Sequence, residues 1–255
     1  MSLALTVAFA MVSVSAVPVG ATAVIAFRTT DRIVLGADEA LTGFDAAGRV
    51  VSETQGCKVG VAGPWAYVWG GHRDGGTDVD LVGTFARAIG ATNTLADLSR
   101  AVREFVRRRI ATLDWDALRA IYPVGSVVYW TGVGRMDGDT AELGIYRAAV
   151  ARYDPLALDV VAVTCPGDCA AGWLAAGHAA ARGPIADVLS HTPYPDWLAP
   201  LNGAAAYRLL AAQADAAPAR IRRPLDVVEM TREGAHWIDR SPDSTCPASL
   251  GGLVK

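Results

Sequence analysis

Lysine is nearly missing from this 255-residue chain: Lys58 and Lys255 are its only two, and arginine carries almost all the other positive charge. The 23 basic and 26 acidic side chains leave a formal net charge of −3, which excludes the basic excess of a nucleic-acid-binding surface. A hydrophobic content of 52% excludes the polar bias of a disordered chain, and the length suffices for one sizeable core. No internal repeat and no clean linker divides it. The histidines, His72, His178, His191 and His236, have no metal-ligand spacing, and no serine or cysteine sits in a nucleophile elbow. Cysteine is scarce too. Cys165-Pro-Gly-Asp-Cys169 is neither a redox CxxC nor half of a zinc site, because no second ligand pair stands at suitable spacing. No metal and no cofactor is implied. The four cysteines (Cys57, Cys165, Cys169, Cys246) read as buried thiols or one local disulfide, and their even number is compatible with an oxidising compartment.

Charge is absent from the start of the chain as well. After Met1, the first charged side chain is Arg28. A stretch this long could span a membrane, but Pro18, Gly20 and several Ser and Thr residues interrupt it, and its last part reads as a strand. An apolar run from Leu3 to about Val14, followed by Val19-Gly20-Ala21, has small residues where signal peptidase cuts, although no Lys or Arg precedes it. Residues 1–21 are therefore expected to be removable. An export signal is favoured, which would place the protein in the periplasm or outside the cell. A self-removed propeptide, which would allow a cytoplasmic location, and a retained anchor stay open. No stable membrane association is expected once the leader has gone. The remainder divides into a domain over 22–240 and a Pro, Ser and Gly-rich tail over 241–255, expected to be loose.

Residues 22–29 and 32–38 are short, apolar and β-branched runs joined around Thr30-Asp31, a hairpin signal. Antiparallel pairing about that turn brings Asp38 opposite position 22 or 23. A second hairpin runs from Lys58 through a Pro64-Trp65 turn to Trp69 and ends in Gly70-Gly71. Lys58 opens its first strand, at the edge that Asp38 reaches. Trp65 and Trp69 flank this hairpin as core or subunit-contact residues. A helix is expected over about 78–89, with Leu81, Val82 and Phe85 on one face. A second follows the capping pair Thr94 and Asp97 and buries Leu95, Leu98, Val102, Phe105 and Val106. Its Arg107–Arg109 cluster suits a solvated helix C-terminus. Strands are expected at 125–133, 142–152 and 158–164, a small-residue helix at about 170–182, a helix at 203–217, and strands at 225–231 and 235–239. The order suggests an α+β fold: two stacked antiparallel sheets flanked by helices.

Thr22-Ala-Val-Ile-Ala-Phe27, followed by Ile33-Val-Leu-Gly-Ala-Asp38-Glu-Ala-Leu-Thr42, resembles the start of a mature proteasome β subunit, a member of the N-terminal nucleophile hydrolases. The resemblance implies a four-layer αββα sandwich. It also implies roles: Thr22 as the nucleophile, Asp38 and Lys58 as its charged partners, Gly70 or Gly71 as the oxyanion-binding backbone, and Thr42 as a substrate-binding residue of the cleft. Thr22, Asp38 and Thr42 match the family spacing without a gap. Lys58 matches if the loop through Phe44–Gln55 carries extra residues. A threonine freed at a chain start owns a base, its α-amine, whose pKa is near neutrality.

The chain departs from the family pattern further on. Val163-Thr164-Cys165-Pro166-Gly167 replaces the family's Gly-Ser-Gly, and Asp215, followed by Ala216-Ala217-Pro218, is the only acid near the expected Asp-x-x-Ser. Ala21 stands where self-cleaving members carry glycine, so export processing itself is one way to expose Thr22. The reading is a threonine-type peptidase cleaving peptide bonds, homo-oligomeric by resemblance, with rings possible. A small-molecule amidase or acylase with the same nucleophile, and a catalytically silent structural or binding member, stay open beside it.

Overall fold

The computed structural model describes residues 22–44, 50–71, 81–110, 127–150, 158–178, 183–191, 193–219 and 221–250. The leader, His72 and the last five residues lie outside them. The described chain is a mixed α/β structure of three antiparallel sheets and four helices.

The first hairpin pairs β1 (Ala23–Arg28) with β2 (Ile33–Asp38), in a register that sets Val24 opposite Ala37 and Arg28 opposite Ile33. Thr29 closes the turn by donating its N–H to the Arg32 carbonyl at 3.1 Å. The second hairpin pairs β5 (Val59–Ala62) with β6 (Trp65–Gly71). Between them, β3 (Ala40–Phe44) and β4 (Val50–Gln55) form a small two-stranded sheet, in the region where the sequence suggested only an extended loop.

Helices α1 (Leu81–Gly90) and α2 (Leu95–Ile110) follow. At the start of α2, the Thr94 hydroxyl accepts the Asp97 N–H at 3.1 Å and donates to the Asp97 carboxylate at 2.8 Å, the capping pair that the sequence indicated. Next, β7 (Val127–Asp137), β8 (Thr140–Val150) and β9 (Leu158–Cys165) extend the β5–β6 hairpin into a five-stranded sheet of order β5-β6-β7-β8-β9. Strands β10 (Trp173–His178), β11 (Leu225–Thr231) and β12 (Gly234–Arg240) complete the other, of order β10-β1-β2-β11-β12. Helices α3 (Pro184–Ser190) and α4 (Gly203–Ala216) lie between β10 and β11 in the chain. The Asn202 side chain caps α4 by accepting the Ala205 N–H, and the Glu229 carboxylate of β11 accepts the Gly203 N–H at 2.7 Å, where a helix start favours a negative charge.

Three apolar clusters show how these elements stack. Trp65, Tyr67 and Trp69 on one face of β6 pack with Leu81, Phe85, Leu98 and Phe105 of α1 and α2. Ala23, Ile25 and Phe27 of β1 pack with Leu209, Leu210 and Ala214 of α4. The alternate residues, Val24 and Ala26, join Ile33, Leu35, Ala66, Val68 and Trp130 in a third cluster between the two sheets. Strands β1 and β2 are buried on both faces, which explains why their sequences are continuous apolar runs without polar alternation.

Two expectations fail. Residues 173–178, read as part of a small-residue helix, form β10, paired with β1 from Ala23–His178 to Arg28–Trp173. The small side chains serve close packing: a Cβ at Gly177 would lie 2.5 Å from the buried Trp130 ring. The cysteines form two disulfides, Cys57–Cys246 and Cys165–Cys169, where at most one was expected. The first closes nearly the whole domain by tying Cys246 to the residue before Lys58. No described helix is long and apolar enough to cross a membrane.

Gly177→Ala separates the strand from the helix by sign. In a helix, alanine would stabilise by about 0.5–1 kcal/mol. Against the Trp130 ring it is expected to destabilise by about 1–3 kcal/mol, the usual cost of overpacking, read as a lowered urea-unfolding midpoint.

Candidate active site

The first residue of the described chain, Thr22, precedes β1, and the last residue of β2, Asp38, lies beside it. The Ala23 N–H donates to Asp38 Oδ1 at 2.9 Å, and the Ala40 N–H donates to Asp38 Oδ2 at 3.2 Å. The register inferred from the turn thus brings the carboxylate to the chain segment that carries Thr22.

Lys58 stands just before β5, in the other sheet. Its backbone carbonyl accepts the Trp69 N–H at 2.8 Å, so its Cα is held by the β5–β6 hairpin. Its side chain spans the gap between the sheets. Nζ donates to Thr22 Oγ1 at 3.0 Å, to Asp38 Oδ1 at 3.2 Å and to the Ala40 carbonyl at 2.6 Å. The Lys58 and Asp38 side chains are 3% and 0% exposed, and Thr22 is 8% exposed. Burial pushes the Asp38 carboxyl above its ordinary value, while the Lys58 ammonium and the two backbone N–H groups oppose that push.

The second hairpin places the glycine pair. In the β5–β6 register, Val59 faces Val68, so Gly70 and Gly71 continue β6 past the level of Lys58. They pair with Trp130 and Tyr129 of β7. Gly71 adopts φ +133°, and a Cβ there would run into the Val128 carbonyl oxygen. Only glycine fits that position, because the backbone is left-handed and the neighbouring strand leaves no room. Thr42 lies on β3, two residues past the Ala40 carbonyl that Lys58 holds, half-buried and paired with Glu53 of β4.

Thr22, Asp38 and Lys58 are therefore brought together by direct hydrogen bonds, while Gly70, Gly71 and Thr42 lie on strands that continue from the same anchoring residues. Asp215 does not join them. It is exposed on α4 and pairs with Arg223 at 3.3 Å. Thr164 is also engaged elsewhere: its N–H and hydroxyl both donate to the Asp168 carboxylate, inside the loop closed by Cys165–Cys169.

Sequence reasoning missed the Ala40 carbonyl and the clasp behind the site. Cys57, adjacent to Lys58, is bonded to Cys246, and Glu39, adjacent to Asp38, binds the same C-terminal segment. The positions of Cys57 and Glu39 beside the two charged residues were the available signal. No protein-family model matches the chain, and no curated protein matches it.

A hydroxyl held 3.0 Å from a buried ammonium sits where an alkoxide would be stabilised on losing its proton. The carboxylate balances the ammonium in a site from which water is largely excluded. Removing one partner strands the other. Lys58→Met is expected to cost about 3–5 kcal/mol through the uncompensated Asp38. The double variant Lys58→Met/Asp38→Asn is expected to lose less than the sum of the two single losses, because the remaining amide accepts backbone N–H groups without charge. A double-mutant cycle from urea unfolding reads that coupling.

Proposed function

We propose that the chain is a threonine-type N-terminal nucleophile hydrolase of the proteasome-like αββα kind, cleaving peptide bonds through Thr22. The observation that carries the reading is the Lys58 ammonium bridging Thr22 Oγ1 and Asp38 Oδ1 in a buried setting. A structural role alone does not call for a lysine there, since an apolar side chain would cross between the sheets at lower desolvation cost.

In the uncut chain the Thr22 nitrogen is an amide and cannot take a proton. Cleavage after Ala21 converts it into an α-amine with a pKa near neutrality. That amine, directly or through a water, takes the Oγ proton as Oγ attacks the substrate carbonyl carbon. Lys58 stabilises the oxygen that attacks, and a backbone N–H at Gly70 or Gly71 receives the oxyanion. Collapse of the tetrahedral intermediate breaks the C–N bond, and the α-ammonium returns its proton to the departing amine. Water then hydrolyses the Thr22 ester with the same amine as base, which restores the free hydroxyl. Thr42, on β3, is assigned to holding the substrate chain in an extended form.

Two disulfides support an exported protein, because such bonds persist in oxidising compartments. Processing during export would then be the event that frees the nucleophile. We also infer a homo-oligomer, from the resemblance of residues 22–72 to proteasome subunits. One observation favours a silent member of the fold instead: the places where the family keeps supporting polar residues hold a surface ion pair at Asp215 and a local loop at Thr164.

The test compares three proteins on a panel of peptide amides. Residues 22–255 with a free Thr22 are expected to be active. The same residues behind a methionine that is not trimmed should lose about 10²–10⁴-fold in kcat, the worth of a general base. Thr22→Ala should be inactive and should not form the covalent adduct that the first protein forms with a threonine-directed electrophile. Undiminished turnover by the methionine-blocked protein would overturn the α-amine mechanism. Absence of both turnover and adduct in the free-Thr22 protein would favour the silent member.

A further inference from the structure

Behind the lysine bridge lies a second buried charged group that the reaction does not use. Glu39 follows Asp38 in the chain, and Asp226 pairs with Ala37 on β11, next to the Leu225–Asp38 pair. Both are 1% exposed. Their carboxylate oxygens and the Cys246 sulfur lie within 4.8 Å of one another.

The Glu39 carboxylate is the receptor for a strap formed by residues 244–246. It accepts the Ser244 hydroxyl at 2.7 Å, the Thr245 N–H at 2.9 and 3.0 Å on its two oxygens, and the Cys246 N–H at 3.3 Å. From the other side, Arg240 of β12 donates to the Ser244 carbonyl at 3.2 Å and to the Cys246 carbonyl at 3.0 and 2.6 Å. The Cys246–Cys57 bond then joins the strap to the residue before Lys58. The strap is thus tied to the neighbours of both charged site residues.

Asp226 is less well provided for. Its Oδ1 is buried and has no hydrogen-bond partner. The Cys246 sulfur, 3.3 Å from its Oδ2, has no hydrogen to donate, being in a disulfide. An ionised Asp226 would set a second negative charge beside Glu39 in a buried place, an arrangement that a single shared proton relieves. A cation could relieve it too, but a disulfide sulfur has no thiolate charge, which leaves two carboxylates to hold one.

We propose that Glu39 and Asp226 share a single proton, and that this proton locks the strap across the strand ends that carry Asp38 and Lys58. The two carboxyls are then positioning residues for the site. Their link to catalysis rests on the hydrolase reading above, whereas the lock itself does not. Glu39, oriented by the three strap donors, is the acceptor, and Asp226 carries the hydrogen.

The pH range follows from the surroundings. Burial, and after it the neighbouring Glu39 carboxylate, push the Asp226 carboxyl up to about 7, while Ser244 and Arg240 oppose them less strongly. The Glu39 carboxyl is lowered despite its burial, by Asp226 and the strap donors. Of the other groups facing the pair, the disulfide and the Val59 carbonyl near the Cys246 sulfur do not titrate. Because the folded Asp226 carboxyl titrates above its unfolded value, its contribution to stability is complete below the ordinary carboxylate range. It is lost as the pH rises to about 7, after which the strap is held by Glu39 and Arg240 against a repelling charge.

The experiment uses the oxidised, purified protein and needs no substrate. Side-chain carboxyl ¹³C shifts are followed with pH, and opening of Cys57–Cys246 by a phosphine reductant is timed by mass spectrometry at pH 6 and pH 8. Opening of Cys165–Cys169 in the same samples is the internal reference. The expected result is an Asp226 titration near 7 and a several-fold faster relative opening of Cys57–Cys246 at pH 8. In Asp226→Asn, whose amide can donate to Glu39 without titrating, the opening should be slow at both pH values. An Asp226 carboxyl titrating in the ordinary range, or a wild-type opening ratio that does not change with pH, overturns the proposal. So does restoration of slow opening at pH 8 by added calcium or magnesium, which would make the site a cation site. These readouts stand whether or not the protein hydrolyses peptides, so failure of the lock and failure of the hydrolase reading are told apart. If both hold, the ratio of Asp226→Asn kcat to wild-type kcat should rise between pH 6 and pH 8, on top of the increase that deprotonation of the α-amine gives to both proteins.

Discussion

A lysine ammonium buried between two β-sheets must find oxygen acceptors or be neutralised, because its desolvation costs several kcal/mol. Among the described residues Lys58 finds a hydroxyl, a carboxylate and a carbonyl, supplied by Thr22, Asp38 and the first residue of β3. Each acceptor depends on a different piece of the fold. The Asp38 carboxylate is held in turn by the N–H groups of Ala23 and Ala40, so the β1–β2 register has to be right. The Ala40 carbonyl requires the chain to leave β2 at Glu39 and start β3 with the next residue. The backbone of Lys58 must itself be fixed, which the bond to Trp69 achieves. Slipping any of these by one residue would leave a buried charge without its partners.

The same logic accounts for the clasp at the chain's end. Strands that meet at a polar cluster present their termini to it, and termini fray unless something ties them. Here the residues adjoining the two charged groups do the tying: Cys57 through a disulfide that spans 189 residues of sequence, Glu39 through hydrogen bonds to residues 244–246. A closed loop of that length removes much conformational freedom from the unfolded chain, about 5 kcal/mol in the loop-entropy account. The site is thereby stiffened from behind by groups that need not touch a substrate.

Where the chain departs from the proteasome pattern, the departures have their own structural uses. Thr164 and Asp168 form a small polar loop that Cys165–Cys169 closes, and Asp215 joins a surface ion pair. Neither supplies a polar group to Thr22. If the threonine is a nucleophile, its amine is tuned by Lys58, Asp38 and the backbone around them, a smaller set than the resemblance implies.

Local patterns in the sequence determined a good deal. Apolar runs bounded by turn residues marked the two hairpins, the capping pair at Thr94 and Asp97 marked α2, and counting back from the Thr30-Asp31 turn brought Asp38 beside Thr22, because strand pairing has a fixed period. What depends on meetings between distant segments was not readable in that way. The stretch 170–182 is rich in alanine, which favours a helix, yet its residues 173–178 become a strand because β1 needs a partner on that side and Gly177 lets the Trp130 ring approach. Composition could not pair Cys57 with Cys246, because nothing local links residues 189 positions apart. Nor could it place the Lys58 ammonium. A strand-opening lysine ordinarily reaches outward to water, and only the stacking of two sheets, with their facing side chains Val24, Leu35, Val68 and Trp130 packed between them, turns it inward onto Thr22 and Asp38.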